Sequence, residues 1–183
     1  FAAAVVEPIA SYSLACEGVF MLYDADSGDL LSLSGQGTAP GNATVDFYKS
    51  QGLDCIPTGP GSLAHLSFTV PGVVDAYIAL LQRYGTKTLS EILVPSIRYA
   101  EHGIPNYEYM IEALRSPANR DQFKLYPPGG ENIFYPGGML PIPGSPLVQP
   151  ALASTLKSLA SAERQVSGNR SEGLLAARDE FYK

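Results

Sequence analysis

Residues 70–103, "VPGVVDAYIALLQRYGTKTLSEILVPSIRYAEHG", constrain the fold more than any other stretch. They read as two consecutive amphipathic helices whose limits are written into the sequence. In the first, Val74, Tyr77, Ile78 and Leu81 recur at helical spacing and share one face, and Gly85 follows as a C′ stop. In the second, Thr88 and Glu91 stand three apart as a capping box, and Gly103 ends the pattern. Pro95 falls inside that second pattern. It removes a backbone donor and crowds the preceding turn, which predicts a kink or an early break. Two further helices are expected. "NYEYMIEALRS" is short, with Asn106 as its cap. "QPALASTLKSLASAE" has Pro150 in its first turn and a stripe of Leu152, Leu156 and Leu159.

Ahead of these helices, "GVFMLYDADSGDLLSLSG" reads as a β-hairpin. Val19–Tyr23 and Leu30–Ser34 are strand-like and flank the turn residues Asp24-Ala25-Asp26-Ser27-Gly28-Asp29. "LYPPGGENIFYPGGMLPIPGSP" is rich in Pro and Gly and is expected to be irregular and surface-lying, tied down by its apolar residues. No internal repeat and no dividing linker is visible. The chain therefore reads as a helix-rich α+β structure, residues 1–183 forming a single partial domain.

Composition excludes several classes of function. The 183 residues are 45% hydrophobic and 16% charged, a globular rather than a disordered balance. A net charge of −6 argues against a nucleic-acid surface, which needs a basic patch. The longest apolar runs are too short to span a bilayer, so no membrane partner is expected. Cys16 and Cys55 make no framework, and two free thiols are the favoured reading. With no Cys-x-x-Cys and no His-x-x-x-His, neither a metal nor a cofactor is expected. The dense apolar start "FAAAVVEP" reads as the end of a buried helix, and "RDEFYK" stops within a helical pattern. A piece of a longer, processed polypeptide is the expectation, and nothing about compartment follows from the missing leader.

Most candidate chemistry has an ordinary explanation. His102 suits the last turn of a helix, where a cation complements the dipole. His65 has a serine nearby but no third group at a suggestive spacing, although triads assemble in space. Glu7, after an apolar run, reads as a cap-like hydrogen-bond acceptor. Asp24, Asp26 and Asp29 superficially resemble a calcium loop, but the twelfth position is Gly35 rather than Glu. Asn42-Ala43-Thr44 and Asn169-Arg170-Ser171 match the glycosylation acceptor pattern. The exception is "LSGQGTAP", residues 33–40. Gly35 and Gly37 allow positive φ and a close approach of ligand to backbone, and Gln36 between them can donate and accept hydrogen bonds. A plain exit turn from the hairpin accounts for the same residues equally well.

Taken in order, several stretches resemble the γ-glutamyltranspeptidase family of N-terminal-nucleophile hydrolases. "AAAVVEP" is similar to the helix end before that family's glycine-rich loop. "FMLYDADSGDLLSLSGQGTAP" is similar to its hairpin and Arg-Glu-x-Ala-Pro turn. "FTVPGVVDAYIALLQRYGTKTLSEILVPSIRYAEHGIP" resembles its Val-Pro-Gly helix and the Ala-Pro-Ala-Ile-x-x-Ala-Glu-x-Gly helix. "GSPLVQPALASTLKSLA" resembles Gly-x-x-Leu-x-Gln-Pro-x-Leu-Ala-x-Thr-Leu, and "EFYK" resembles Phe-Tyr-x-Gly. The resemblance covers nearly the whole chain and implies part of an αββα sandwich. It further implies a self-cleaving precursor, with this chain from the large subunit. The partner small subunit would carry an N-terminal Thr as nucleophile, its own amine serving as base. No catalytic residue is then expected in this chain, which alone would be inert.

Two departures from the family bear on substrate. Aligning Ala39-Pro40 with the family's Ala-Pro puts Gln36 where the family has the Arg that holds the substrate α-carboxylate, and Gly37 where it has Glu. "SYSLACEGVFM" also stands where the family has a run of glycines before Phe-Met. The resemblance thus implies a substrate-binding turn of Gly35, Gln36 and Gly37, retuned away from glutamate. A small carboxylated amide such as oxamate is then the expected substrate. The alternatives are a true γ-glutamyl transferase or glutathione hydrolase, a non-catalytic binding or structural module, and a family member that breaks a C–C bond beside a carbonyl.

Overall fold

The computed structural model describes residues 1–9, 12–126 and 129–183. In chain order these form α1 (Ala2–Val6), β1 (Val19–Tyr23), β2 (Leu30–Ser34), α2 (Val45–Ser50), α3 (Val73–Tyr84) and α4 (Leu89–His102). There follow β3 (Ile104–Pro105), α5 (Glu108–Leu114), α6 (Pro117–Leu125), α7 (Glu131–Phe134), β4 (Pro146–Leu147), α8 (Pro150–Gln165) and α9 (Arg170–Phe181). The structure is helix-rich α+β, and the strands among the described residues make two antiparallel pairs, β1–β2 and β3–β4. The residues sort into two compact units. One comprises 1–37, 71–103 and 149–183; the other comprises 38–70 and 104–148.

The first unit is built on α4, which packs between α8 and α1, with α9 covering α8 and α3. Leu89, Leu93, Ser96 and Ala100 recur at helical spacing along α4 and are all buried. From α8 and α9 come Leu156, Leu159, Leu174 and Ala177, each essentially inaccessible. Burying a leucine of this kind contributes about 1.5–3 kcal/mol. Small residues set the spacing between α8 and α9, since a Cβ on Gly173 would lie 3.1 Å from the Glu163 carbonyl oxygen. Glu163, buried on α8, reaches the start of α4. Its carboxylate accepts from the Leu89 N–H, the Ser90 N–H and the Ser90 hydroxyl, each at 2.7 Å. Those amides are among the donors that a helix start leaves unpaired. Gln149 closes the opposite side: its backbone N–H bonds the Ala100 carbonyl, and its side chain donates to the Val5 carbonyl, both at 2.8 Å.

The hairpin has the expected limits and pairs Val19 with Ser34 through Tyr23 with Leu30. Its inner row, with Phe20 and Leu22, faces α3, and the Phe20 ring meets Tyr77 edge-on at 5.5 Å. The outer row leaves Val19, Met21, Tyr23 and Leu30 largely exposed. Thr88 and Glu91 form the predicted capping box, and Gly103, at φ 88°, ends α4. Pro95, however, neither breaks nor shortens the helix. Its side is exposed, while Leu93, Ser96 and Ala100 are held in the core, so packing carries the helix past the missing bond. Gly85 stops α3 at φ −83°, not in the left-handed conformation; the chain extends instead towards the next cap.

In the second unit Tyr135 is 1% exposed and donates its hydroxyl to the Leu114 carbonyl at 2.8 Å. Its burial raises the phenol pKa and keeps it a donor. Tyr48 bonds the Leu66 carbonyl at 2.6 Å, and Gln122 accepts from the Gly61 N–H at 2.6 Å. Asn106 does not cap α5, where Tyr107 takes the cap position. Its amide donates instead to the carbonyl and hydroxyl of Ser145 at 3.0 and 3.1 Å, tying β3 to the approach of β4. The Pro- and Gly-rich stretch is not wholly irregular: it supplies α7, a 3-10 turn at Pro136–Gly138 and β4. Its Pro127-Pro128 pair lies outside the described residues.

Candidate functional site

The turn after the hairpin is positioned by close backbone packing. Gly35 extends the ladder: its N–H donates to the Gly18 carbonyl at 2.6 Å, and the Gly18 N–H returns a bond at 3.3 Å. Neither Gly35 nor Gly37 adopts a positive φ. The freedom of positive φ that glycine allows is therefore not used here, and glycine is needed at 35 for close packing. A Cβ there would lie 2.7 Å from the Ala76 Cβ and 3.1 Å from the Gly18 carbonyl oxygen. Gly72, the residue just before α3, presses on the same peptide. A Cβ on it would fall 2.4 Å from the Gly35 carbonyl oxygen and 2.9 Å from the Gln36 carbonyl carbon. Glycine at both positions lets hairpin and helix start meet backbone to backbone.

Gln36 rides on this platform. Its backbone N–H reaches the Ser34 hydroxyl only at 3.5 Å. Its side chain is exposed and makes no hydrogen bond to the described residues, so two donors and an acceptor remain for a ligand. Gly37 is half-buried and adds no side-chain charge.

The helix start that presses on Gly35 is itself held from the end of α9. The Tyr182 hydroxyl donates to the Pro71 carbonyl at 2.7 Å and accepts from the Asp75 N–H at 3.2 Å. Arg178 pairs with the Asp75 carboxylate and stands 5.9 Å over the Tyr182 ring. Desolvation, the largest influence on Tyr182, raises its pKa and keeps the phenol protonated at neutral pH. The ion pair with Asp75 raises that of Arg178, already a permanent cation.

The remaining candidates lie elsewhere. His102 sits in the last turn of α4, with Nδ1 3.0 Å from the Arg98 carbonyl. His65 lies on a 3-10 turn in the second unit, beside a cleft of about 180 Å³ shared with Phe47, Tyr48 and Phe68. The nearby Ser67 hydroxyl is spent on the Ala64 carbonyl, and no acid lines that cleft. Glu7 follows α1 and donates its N–H to the Ala3 carbonyl. Asp24 accepts from the Asp26 N–H within the hairpin turn. Asn169 and Thr44, both in glycosylation-type sequences, serve as helix N-caps. Cys16 and Cys55 are free thiols. Among the described residues no cluster of three or more His, Cys, Asp or Glu could hold a metal. The sequence singles out Gln36 as a candidate but gives no sign of Gly72 and Tyr182 beneath it. The Val-Pro-Gly and Phe-Tyr pairs were visible, but not that they meet.

The crystal structure of Helicobacter pylori γ-glutamyltranspeptidase superposes with a TM-score of 0.75 at 31% identity, over 97% of this chain and 50% of that one. The fold is thus that of a γ-glutamyltranspeptidase structure. The γ-glutamyltranspeptidase family model matches residues 1–179, and the chain belongs to that family. The glutathione hydrolase proenzyme of Bacillus subtilis (strain 168) is 29% identical over 161 residues, 88% of this chain and 27% of that protein. The oxamate amidohydrolase proenzyme of Klebsiella pneumoniae subsp. pneumoniae is 32% identical over 144 residues, 78% of this chain and 26% of that protein. The chain therefore spans about a quarter of the length of these curated relatives.

Proposed function

We propose that residues 1–183 are the large-subunit portion, one partial domain, of an amidohydrolase or acyltransferase that acts on a small carboxylated amide of the oxamate type. Gly35, Gln36 and Gly37 form its substrate-binding turn. The nucleophile is the N-terminal Thr of a second chain. Its hydroxyl attacks the amide carbonyl while its own amine takes the proton, and the amine product leaves an acyl-enzyme for water or an amine acceptor. The observation that carries the reading is the exposed Gln36 amide, without a hydrogen bond to the described residues, beside the close glycine packing of Gly35 and Gly72, where the family's turn has an Arg. A buried carboxylate left poorly paired costs several kcal/mol. Gln36 offers two N–H donors and no charge, against five donors and a full charge on Arg. A compact carboxylated amide can still be met by backbone N–H groups with Gln36 in support, whereas a γ-glutamyl group loses its main ion pair. Similarity to an oxamate amidohydrolase proenzyme supports this reading. Similarity to a glutathione hydrolase proenzyme favours the second reading, a γ-glutamyl transferase or hydrolase that recruits its cation elsewhere.

The test compares the full protein with Gln36→Ala and with Gln36→Arg plus Gly37→Glu, on oxamate (ammonia release) and on a γ-glutamyl anilide. Gln36→Ala is expected to lower kcat/KM for oxamate about tenfold, the loss of one substrate hydrogen bond of about 1.5 kcal/mol. The double variant is expected to gain γ-glutamyl activity. An unmodified enzyme that turns over the γ-glutamyl substrate far faster than oxamate would refute the reading.

A further inference from the structure

We propose that Tyr182 is a positioning residue for the Gly35–Gly37 turn, acting from the end of α9 through the start of α3. The inference rests on the reading of that turn as the substrate contact. Three observations carry it.

The first is a conflict at the helix start. The residue before α3 ordinarily caps the helix, with a Ser, Thr, Asp or Asn side chain accepting from the amide two or three residues on. Here that residue is Gly72, which has no side chain to do so. Glycine is forced, because any Cβ would collide with the Gly35 carbonyl oxygen at 2.4 Å. The helix start therefore cannot both touch the turn and cap itself.

The second is that the missing cap is supplied from outside. The Asp75 N–H, third in the helix, donates to the Tyr182 hydroxyl at 3.2 Å. The same hydroxyl donates to the Pro71 carbonyl at 2.7 Å, so one oxygen clamps the residues on either side of Gly72. The third is that Tyr182 is itself fixed, by Arg178 over its ring and the Phe181 ring edge-on at 4.9 Å. Arg178 in turn is anchored on Asp75. A shift of Tyr182 moves Pro71–Gly72, and Gly72 lies against the peptide that carries Gln36.

Tyr182→Phe in the full protein keeps the ring and deletes both bonds. Kinetics are read on oxamate and on the γ-glutamyl anilide, using whichever is turned over, beside Gln36→Ala and the double variant. KM is expected to rise about fivefold in Tyr182→Phe with kcat within about twofold. In the Gln36→Ala background the same change is expected to leave KM within about twofold, because two residues acting through one contact are not additive. A role confined to stability would lower the melting temperature and leave KM alone. Hydrogen exchange without substrate is the second measurement: peptides covering 33–38 are expected to exchange faster in Tyr182→Phe, with peptides covering 150–165 unchanged. If Gln36→Ala raises KM while Tyr182→Phe changes neither KM nor exchange at 33–38, the inference is overturned and the turn's role stands. If neither variant changes KM, or neither substrate is turned over, the reading of the turn fails and the inference falls with it.

Discussion

Gly72→Ala is the smallest change that tests whether the hairpin and α3 must meet backbone to backbone. The added methyl would begin 2.4 Å from the Gly35 carbonyl oxygen, and an ordinary contact starts at 3.4 Å, so relief requires a displacement of about 1 Å. Neither obstacle is the flexible end of a side chain. The Gly35 carbonyl is locked to Gly18, and Val73, the next residue, donates its N–H to the Cys16 carbonyl at 3.2 Å. Overpacking of this kind costs about 1–3 kcal/mol. A displacement of about 1 Å in a substrate-positioning element can cost about a hundredfold in rate. The assay is kcat/KM of the full protein on oxamate and the γ-glutamyl anilide, with thermal unfolding alongside. Gly41→Ala is the control, because a Cβ at that position meets nothing within 4 Å. A fall of about a hundredfold in Gly72→Ala, with Gly41→Ala at parental values, is the expected result. A Gly72→Ala enzyme within twofold of the parent and with a parental melting temperature would refute the packing account of the turn.

Glu163→Ala is expected to destabilise the full protein by about 3 kcal/mol, since it strands the Leu89 N–H in a fully buried position; a shift of the urea midpoint worth under about 0.5 kcal/mol would contradict this. Hydrogen bonds from the Thr88 backbone and side chain lower the Glu91 pKa, with Lys87 adding to the effect. The stabilisation is thus fully present above the ordinary glutamate pKa, about 4.3, and is lost as pH falls through the lowered folded-state value. The melting temperatures of the parent and Glu91→Gln are expected to differ at neutral pH and to converge in acid; a gap independent of pH would count against the capping box. Residues 1–183 expressed alone are expected to self-associate through the outer hairpin row of Val19, Met21, Tyr23 and Leu30, and a monodisperse, cooperatively melting monomer would contradict that.

The elements legible in the sequence were those whose signals are local. The hairpin has alternation and turn residues at fixed offsets; α4 has Thr88, Glu91 and Gly103; α8 has Pro150 and a leucine stripe. What misled were local signals overruled by packing. Pro95 reads as a breaker, but the core on the opposite face holds the helix. Asn106 reads as a cap, but Ser145, 39 residues away, competes for its amide. The short helices α2 and α6 bury no side chain fully, so they carry no apolar stripe to detect. At the candidate site, Gln36 was singled out through its register with the family's turn. The reason for its glycines was not legible, since it depends on Gly18, Gly72 and Ala76 approaching from other elements.

The bonds that close the first unit join residues far apart along the chain. Val5 waits for Gln149, 144 residues downstream, and the Asp75 amide waits for Tyr182, 107 residues downstream. Loop closure of that length must precede the contacts that reward it, which slows folding. During synthesis α1, α3 and α4 emerge first and must keep their apolar faces uncovered until α8 and α9 follow. The last 35 residues of this unit thus act as a latch, and the interval before it closes is when the nascent chain is most exposed to aggregation and to chaperones.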